Sequence, residues 1–104
     1  MSEVYKALAD PTRRRILQLL RDREMSAGEI ADQFKLAKPT LSGHFAVLRA
    51  ANLVSSEKTG VTIIYRLNVS VLEEALMALM DAFRLQDPGP VSARPLKTRK
   101  GDRS

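Results

Sequence analysis

The sequence predicts one mostly helical domain with a small β-hairpin close to its C-terminal end. Three observations support this: two prolines stand where helices begin, a Ser-x-x-Glu capping pattern lies between them, and one stretch alternates apolar and polar residues with period 2. The chain has 104 residues, of which 44% are hydrophobic, as in a single globular domain. We expect this domain to span residues 1–84 and residues 85–104 to form a disordered tail.

The predicted tail is basic and rich in helix-breaking residues. Residues 85–104 hold three prolines, two glycines, five basic and two acidic residues, so this segment carries +3 of the net charge of +5. Such a composition does not build a packed core, and it allows non-specific attraction to DNA. The remaining residues carry only +2. The overall charge is therefore compatible with a nucleic-acid partner without indicating one by itself.

Other features of the composition exclude several classes of protein. The chain has no cysteine, which excludes disulfides, thiolate zinc sites and thiol redox chemistry. No apolar run approaches the roughly 20 residues of a membrane span. The N-terminal residues also lack the pattern of a signal peptide. We therefore expect a cytoplasmic protein without membrane association.

The first two helices are predicted near the N-terminus. Residues 3–9 form a short amphipathic stretch whose apolar positions are Val4, Tyr5 and Leu8. A second helix begins after Asp10, a good N-cap, with Pro11 at the first helical position, where its missing N–H has no cost. Its buried stripe contains Ile16, Leu17 and Leu20. Arginines 13–15 fan out over about 200° of the helix, so either solvation or a phosphate contact by one of them explains their presence.

Two further helices follow with a short break between them. Ser26 and Glu29 form a capping box, which begins a helix that we expect to run to about Phe34. A break of three or four residues comes next, with Leu36 predicted to point inward. The following helix begins at Pro39, again in the first turn, where proline is favoured. Residues 38–45 look like a loop because they include a proline and a glycine, but they are therefore predicted to be helical.

A hairpin and a last helix complete the domain. From residue 54 onwards the chain alternates with period 2, is rich in β-branched residues and reverses at Gly60, which predicts two antiparallel strands. The last helix is predicted to be capped by Asn68 or Ser70. Its apolar stripe contains Leu72, Leu76, Leu79 and Phe83, widened by Met77, Met80 and Ala82. This stripe is more apolar surface than a small domain usually covers.

Two short helices joined by a tight turn and followed by a hairpin describe a winged helix-turn-helix, whose second helix enters the major groove of DNA. At 100° per residue, the buried side of that helix is formed by Leu41, Phe45 and Leu48. The opposite side is centred near Gly43 and is small, hydroxylated and free of acidic residues. A helix that is only solvated would normally carry Glu and Lys there. The pattern therefore favours close approach to DNA.

Five residues of this helix are candidate DNA contacts: Lys38, Thr40, Ser42, Gly43 and His44. The two hydroxyls can donate to phosphates or base edges, and Lys38 near the helix N-terminus suits a phosphate. Glycine destabilises a helix interior by about 1 kcal/mol relative to alanine, so Gly43 either permits close approach to DNA or is merely tolerated. His44 lies on the flank of this face, where a polar DNA contact and a half-buried packing or capping role both remain open.

The hairpin offers two further candidates for contacts with the DNA backbone. Lys58 lies near the tip, and Arg66 lies on the outer face. The presence of each side chain is explained equally well if the hairpin is merely exposed to solvent.

The same residues exclude an enzyme and favour no metal site. His44 is the single histidine, and a metal site needs several ligands of suitable type and spacing. Ser42 stands only two residues before His44, so on a helix the two side chains point about 160° apart and cannot form a nucleophile–base pair. No glycine-rich phosphate loop is present. We expect neither catalysis nor a cofactor.

The chain resembles the ArsR/SmtB family of winged-helix repressors, and in particular its SdpR-like branch of non-metal autorepressors. Two stretches carry the resemblance, KALADPTRRRILQLL and SAGEIADQFKLAKPTLSGHFAVLRAANLVSSEKTGVTIIYRLN, and it covers about residues 3–84. The resemblance implies a homodimer that binds palindromic operator DNA and is joined through its first and last helices. The interface residues expected on this basis are Val4, Tyr5, Leu8, Leu72, Leu76, Leu79, Met80 and Phe83.

Departures from the family pattern refine this expectation. Metal-sensing members carry a Cys-containing pair in the helix that here reads AGEIADQF, or His and acidic ligands on the last helix, which here offers only Glu73, Glu74 and Asp81. We therefore expect no zinc or arsenic sensing. Members often carry His, Gln or Arg at the position of Gly43 and an Arg-rich wing, so base readout is expected to rest on fewer side chains.

Two alternatives to the hypothesis of a repressor that senses no metal remain open. One is a ligand- or metal-responsive sensor on the same fold, with a carboxylate or small-molecule site near the last helix. The other is a winged helix used for protein contact, with no role on DNA.

Overall fold

A computed structural model describes residues 2–85 of the chain. Their elements are, in order, α1 (Ser2–Leu8), α2 (Pro11–Asp22), β1 (Met25–Ser26), α3 (Ala27–Ala31), α4 (Lys38–Ala50), β2 (Val54–Thr59), β3 (Thr62–Leu67) and α5 (Val69–Ala82). The predicted class, mostly helical with a small β-hairpin, is confirmed, and the structure adds the short strand β1. The predicted disordered basic tail, apart from Leu85, lies outside the described residues.

Side-chain caps begin α2 and α3 as predicted. The carboxylate of Asp10 accepts a hydrogen bond from the backbone N–H of Arg13 at 3.0 Å, and Pro11 is the first residue of α2. At α3, the Ser26 hydroxyl accepts from the N–H of Glu29 at 3.0 Å, while the Glu29 carboxylate accepts from the N–H of Ser26 at 2.8 Å. Each cap satisfies backbone donors that lack partners in the first helical turn.

The link between α3 and α4 differs from the prediction. α3 ends at Ala31 rather than near Phe34. The N–H of Asp32 still bonds four residues back, but those of Gln33 and Phe34 bond three residues back and tighten the chain into a turn. The link is consequently longer than expected and runs over the surface, where Leu36 is 40% exposed. The prediction that Leu36 points inward is therefore wrong. α4 begins one residue earlier than predicted, at Lys38.

The sheet has three antiparallel strands in the order β1-β3-β2. The hairpin pairs β2 with β3 from Val54 opposite Leu67 to Thr59 opposite Thr62, and Gly60 reverses the chain with a φ of 64°, a conformation that favours glycine. β1 adds to the other edge of β3, with Met25 opposite Tyr65. The wing is thereby fixed to the segment that precedes α3.

The core joins the helix-turn-helix to the sheet. Its largest fully buried side chains are Ile16, Ile30, Leu48 and Leu53. The rings of Phe45 and Tyr65 stack with their centroids 4.4 Å apart, which packs α4 against β3. Such buried aromatic contact holds the orientation of α4 relative to the wing.

α5 is far less covered than the other long helices. Asn68 occupies its N-cap position as predicted, but the side chain donates to the carbonyl of Asn52 at 2.8 Å and does not cap the helix. Within α5 only Ala75 is buried. Among residues 2–85, no helix combines the length and the hydrophobicity that crossing a membrane would require.

Candidate nucleic-acid interface

The outward face of α4 is exposed along its N-terminal half. Lys38, Thr40, Ser42 and Gly43 are all exposed, while Leu41, Phe45 and Leu48 on the opposite side are at most 5% exposed. A Cβ atom built at Gly43 would meet no atom within 4 Å. This glycine is therefore not required by packing inside the protein, and the surface around it is open.

The N-terminus of α4 is suited to an anion. No side chain caps this helix, whose N-cap position is occupied by Ala37. The first turn contains no acidic residue, and Lys38 stands at its start. Free N–H groups, the positive end of the helix dipole and a lysine together favour a phosphate at this place.

A groove of about 250 Å³ lies between α3 and α4. It is lined by Lys38 and Ser42 from α4 and by three small residues of α3, with Leu41 and Phe45 completing the apolar part; the small residues are Ala27, Gly28 and Ala31. The sequence prediction did not include these small residues. Their spacing on one face of α3 is the signal that could have identified them.

His44 is directed toward α2 rather than away from the protein. Its Nδ1 accepts a hydrogen bond from Nη1 of Arg13 at 3.1 Å and lies 3.9 Å from a carboxylate oxygen of Asp10. The side chain of His44 is 16% exposed. The geometry thus matches the half-buried packing role, and the predicted contact with DNA stays a prediction.

The carboxylate of Asp10 is held in its charged form. The backbone N–H of Arg13, together with the charge of its guanidinium group, lowers the pKa of Asp10 below its usual value. At α3 the N–H of Ser26, with Arg23 close by, lowers the pKa of Glu29 in the same manner. Both carboxylates therefore carry full charge at neutral pH.

Arg66 is bound between two carboxylates of the wing region. Its Nη1 donates to Glu57 at 2.8 Å, and its Nε donates to Glu24 at 2.7 Å. The hydrogen bonds to Glu57 and then to Glu24 raise the pKa of Arg66. Lys58 is exposed beside the turn and forms no salt bridge with residues 2–85. Of the two wing candidates, Lys58 is the one that is available to a phosphate.

The residues predicted for a dimer interface differ in exposure. Val4 is only 7% exposed and belongs to the core of the protomer, whereas Tyr5 is 38% exposed and Leu8 and Leu72 are half-buried. The others form an exposed apolar face of α5 and of the residue that follows it, with Leu76 at 45%, Leu79 at 38%, Met80 at 40% and Phe83 at 69%. Residues 2–85 contain no group of three or more His, Asp or Glu side chains able to hold a metal ion.

The chain is therefore a winged helix-turn-helix protein: α4 packs on the core with a bare outer face, α3 precedes it across a surface link, and the hairpin follows it. Residues 10–56 match the family described as "Bacterial regulatory protein, arsR family". The chain belongs to this family, whose members are DNA-binding transcriptional regulators and not enzymes.

Individual relatives agree with this assignment. The chain is similar to the transcriptional repressor SdpR of Bacillus subtilis, with 43% identity over 76 residues, which covers 73% of this chain and 84% of the relative. It is also 43% identical over 89 residues to the HTH-type transcriptional regulator KmtR of Mycobacterium tuberculosis, covering 85% and 66% of the two chains. Among solved structures, a possible transcriptional regulator for arsenical resistance has a TM-score of 0.68 and 34% identity, covering 88% of this chain and 95% of that chain.

Proposed function

We propose that the protein is a transcriptional repressor that binds operator DNA as a homodimer in the cytoplasm, with α4 in the major groove. The observation that carries this proposal is the exposed, acid-free face of α4 around Gly43. The similarity to SdpR, which is named a transcriptional repressor, supports the sign of regulation.

Within α4, the proposed readers are the exposed hydroxyls of Thr40 and Ser42, with Lys38 on a phosphate. Gly43 allows the helix to approach the base edges. The outer nitrogen of His44 and the ammonium group of Lys58 add contacts at the sides of this surface. Arg66 contributes less than its charge suggests, because two carboxylates already bind it.

The apolar face of α5 supports the homodimer. Three of its large side chains, Leu76, Met77 and Met80, and Phe83 directly after the helix are between 40% and 69% exposed, with Leu79 beside them. A contiguous apolar patch of this kind marks an interaction site. Since two-fold symmetric dimers bind palindromic DNA, the operator is expected to be a palindrome.

The lack of cysteine in the sequence supports a repressor that does not sense zinc or arsenic through thiolate ligands. We propose that it represses its own gene. DNase footprinting on the promoter upstream of that gene tests this: a protected palindrome is expected, and an unprotected promoter would refute autorepression.

Operator binding by variants tests the assignment of the site. Thr40→Ala with Ser42→Ala is expected to weaken operator binding at least about tenfold, because two hydrogen bonds of about 1 kcal/mol each are lost. Ser70→Ala, an exposed hydroxyl at the start of α5, is the matched control and should bind like the wild type. Wild-type affinity of the double variant would show that α4 is not the reader.

The salt dependence of binding separates DNA recognition from a winged helix that contacts only proteins. Displacement of counterions from phosphates predicts a steep fall of the association constant with salt concentration. Weak binding that does not respond to salt would favour the protein-contact alternative.

A second candidate function is a ligand-responsive regulator on the same fold. It is favoured by a groove of about 250 Å³ between α1, α2, β3 and α5, lined by Leu8, Leu17, Leu67 and Leu72 together with polar side chains of α2. Small metabolites or divalent metals that raise the melting temperature and also change operator affinity would establish this function. Binding without any change in operator affinity would argue against it.

A further inference from the structure

Arg13 connects three parts of the molecule through one guanidinium group. Its Nε donates to the carbonyl of Ala7 at 2.9 Å, and its Nη2 donates to the carbonyl of Lys6 at 2.9 Å. Its Nη1 donates to Nδ1 of His44 at 3.1 Å. All three nitrogen atoms of this side chain are therefore engaged, two with α1 and one with α4.

The contacts with α1 compensate for the short length of that helix. α1 has seven residues, too few for an isolated helix to be stable in water, and its last carbonyls lack partners within the helix. Arg13 supplies donors to two of these carbonyls, and Nη1 of Arg14 donates to the next one, of Leu8, at 2.8 Å. The two arginines together hold α1 against the start of α2.

The contact with α4 also fixes the state of the His44 ring. A guanidinium group can only donate hydrogen bonds, so Nδ1 of His44 must accept, and the ring proton lies on Nε2. Asp10 holds the backbone of Arg13 in place, because its carboxylate accepts a hydrogen bond from the backbone N–H of Arg13 at 3.0 Å. The same carboxylate lies 3.9 Å from Nδ1 of His44, beyond hydrogen-bond distance, so it does not replace Arg13 as the partner of this atom.

We propose that Arg13 is a positioning residue that sets the orientation of the DNA-reading helix α4 relative to the dimer helix α1. This inference rests on the proposed function, in which α1 and α5 join two protomers and α4 reads one half-site. In such a dimer the angle between α1 and α4 determines the separation of the two α4 helices. That separation must match the distance between half-sites on one face of DNA.

The decisive comparison is between Arg13→Gln and Arg14→Gln. Both variants replace a guanidinium group that donates to the carbonyl end of α1 by a shorter, neutral amide, but only Arg13 also donates a hydrogen bond to α4. Operator binding is measured on the footprinted palindrome and on a version with one base pair inserted between the half-sites. The dimer mass of each variant is measured at the same protein concentration.

Arg13→Gln is expected to weaken binding to the original palindrome about tenfold, as for the loss of one hydrogen bond to a charged group. It is also expected to reduce the affinity penalty for the inserted base pair, because α4 is less firmly oriented. Arg14→Gln should match the wild type in both measurements within about twofold. Equal behaviour of the two variants, in affinity and in spacing preference, would overturn the proposal.

Nitrogen-15 NMR of the free protein gives a readout that does not depend on DNA. His44 should show the single Nε2–H tautomer in the wild type and in Arg14→Gln, and a mixture of tautomers in Arg13→Gln. A mixture in the wild type would overturn the assigned contact. If Arg13→Gln does not fold, Arg13→Lys keeps a cation that cannot reach all three acceptors and is subjected to the same tests.

Failure of the proposed function is distinguishable from failure of this inference. A wild-type protein that stays monomeric or leaves the palindrome unbound refutes the proposed function. A wild-type dimer that binds the palindrome, together with an Arg13→Gln variant that binds it equally well and with the same spacing preference, refutes only the role of Arg13.

Discussion

The guanidinium group of Arg66 donates to the carboxylate of Glu57 at 2.8 Å, across the two strands of the wing. On its other side it donates to Glu24, which immediately precedes β1, at 2.7 Å. All three side chains are about half exposed. Exposed ion pairs add little to stability, so the main consequence of this arrangement is that the positive charge of Arg66 is compensated before DNA approaches.

Removing one of the two carboxylates is therefore expected to strengthen DNA binding. Glu57→Gln deletes a negative charge from the wing and leaves Arg66 free to turn toward a phosphate. We expect operator affinity to increase about threefold, with a salt dependence steeper by up to about one released counterion. Glu73→Gln, an equal change of charge on α5, is the control and should have little effect. Unchanged or weaker binding by Glu57→Gln would show that the wing does not face DNA.

Substitutions of Gly43 are expected to separate stability from function. Gly43→Ala should raise the free energy of unfolding by about 1 kcal/mol, because glycine is unfavourable inside a helix and the added Cβ meets no atom within 4 Å. Gly43→Leu should remain folded but bind operator at least about tenfold more weakly, since its side chain occupies the space of the base edges.

Ala50→Leu is the matched control for Gly43→Leu, because it enlarges an exposed side chain in the last turn of the same helix. Its operator affinity should stay close to that of the wild type. A Gly43→Leu variant that binds as tightly as Ala50→Leu would place the DNA on another face of α4. Urea unfolding followed by circular dichroism supplies the stabilities, and fluorescence anisotropy supplies the affinities.

Features set by neighbouring residues were predictable from the sequence. The caps at Asp10 and at Ser26 with Glu29, and the reversal at Gly60, each depend on residues within three positions of one another. The buried side of α4 followed from helical periodicity alone. These local rules were sufficient to establish the fold class.

Features that depend on distant residues were not predictable. Strand β1 has only two residues and exists because Met25 and Ser26 find partners on β3 about 40 positions later. The bond between Arg13 and His44 spans 31 positions, and that between Arg66 and Glu24 spans 42. The sequence pattern placed Arg66 on the outer face of the hairpin and spread arginines 13–15 around α2, but neither statement says which acceptor a long side chain reaches.

Leu76→Glu is expected to separate the proposed homodimer into folded monomers. Leu76 is 45% exposed on the apolar face of α5, so a carboxylate at this position is solvated in the monomer but desolvated and unpaired in an interface. The dimer dissociation constant should rise about a hundredfold, as measured by analytical ultracentrifugation. Ser70→Glu adds the same charge at an exposed position in the first turn of α5 and should leave the dimer intact. Equal masses for the two variants would exclude this face from the interface.

The two capping carboxylates predict how stability responds to acid. The folded protein lowers the pKa of Asp10 and that of Glu29, chiefly through backbone N–H groups, so their stabilising effect is complete above the pKa of the unfolded chain and is lost as the pH falls through the folded value. The melting temperature should therefore decrease below about pH 4. Asp10→Asn keeps a good N-cap but cannot titrate, so it should show a smaller acid-induced decrease than the wild type. Glu73→Gln, outside any cap, should follow the wild-type curve, and an identical acid response of Asp10→Asn would contradict the role of this carboxylate.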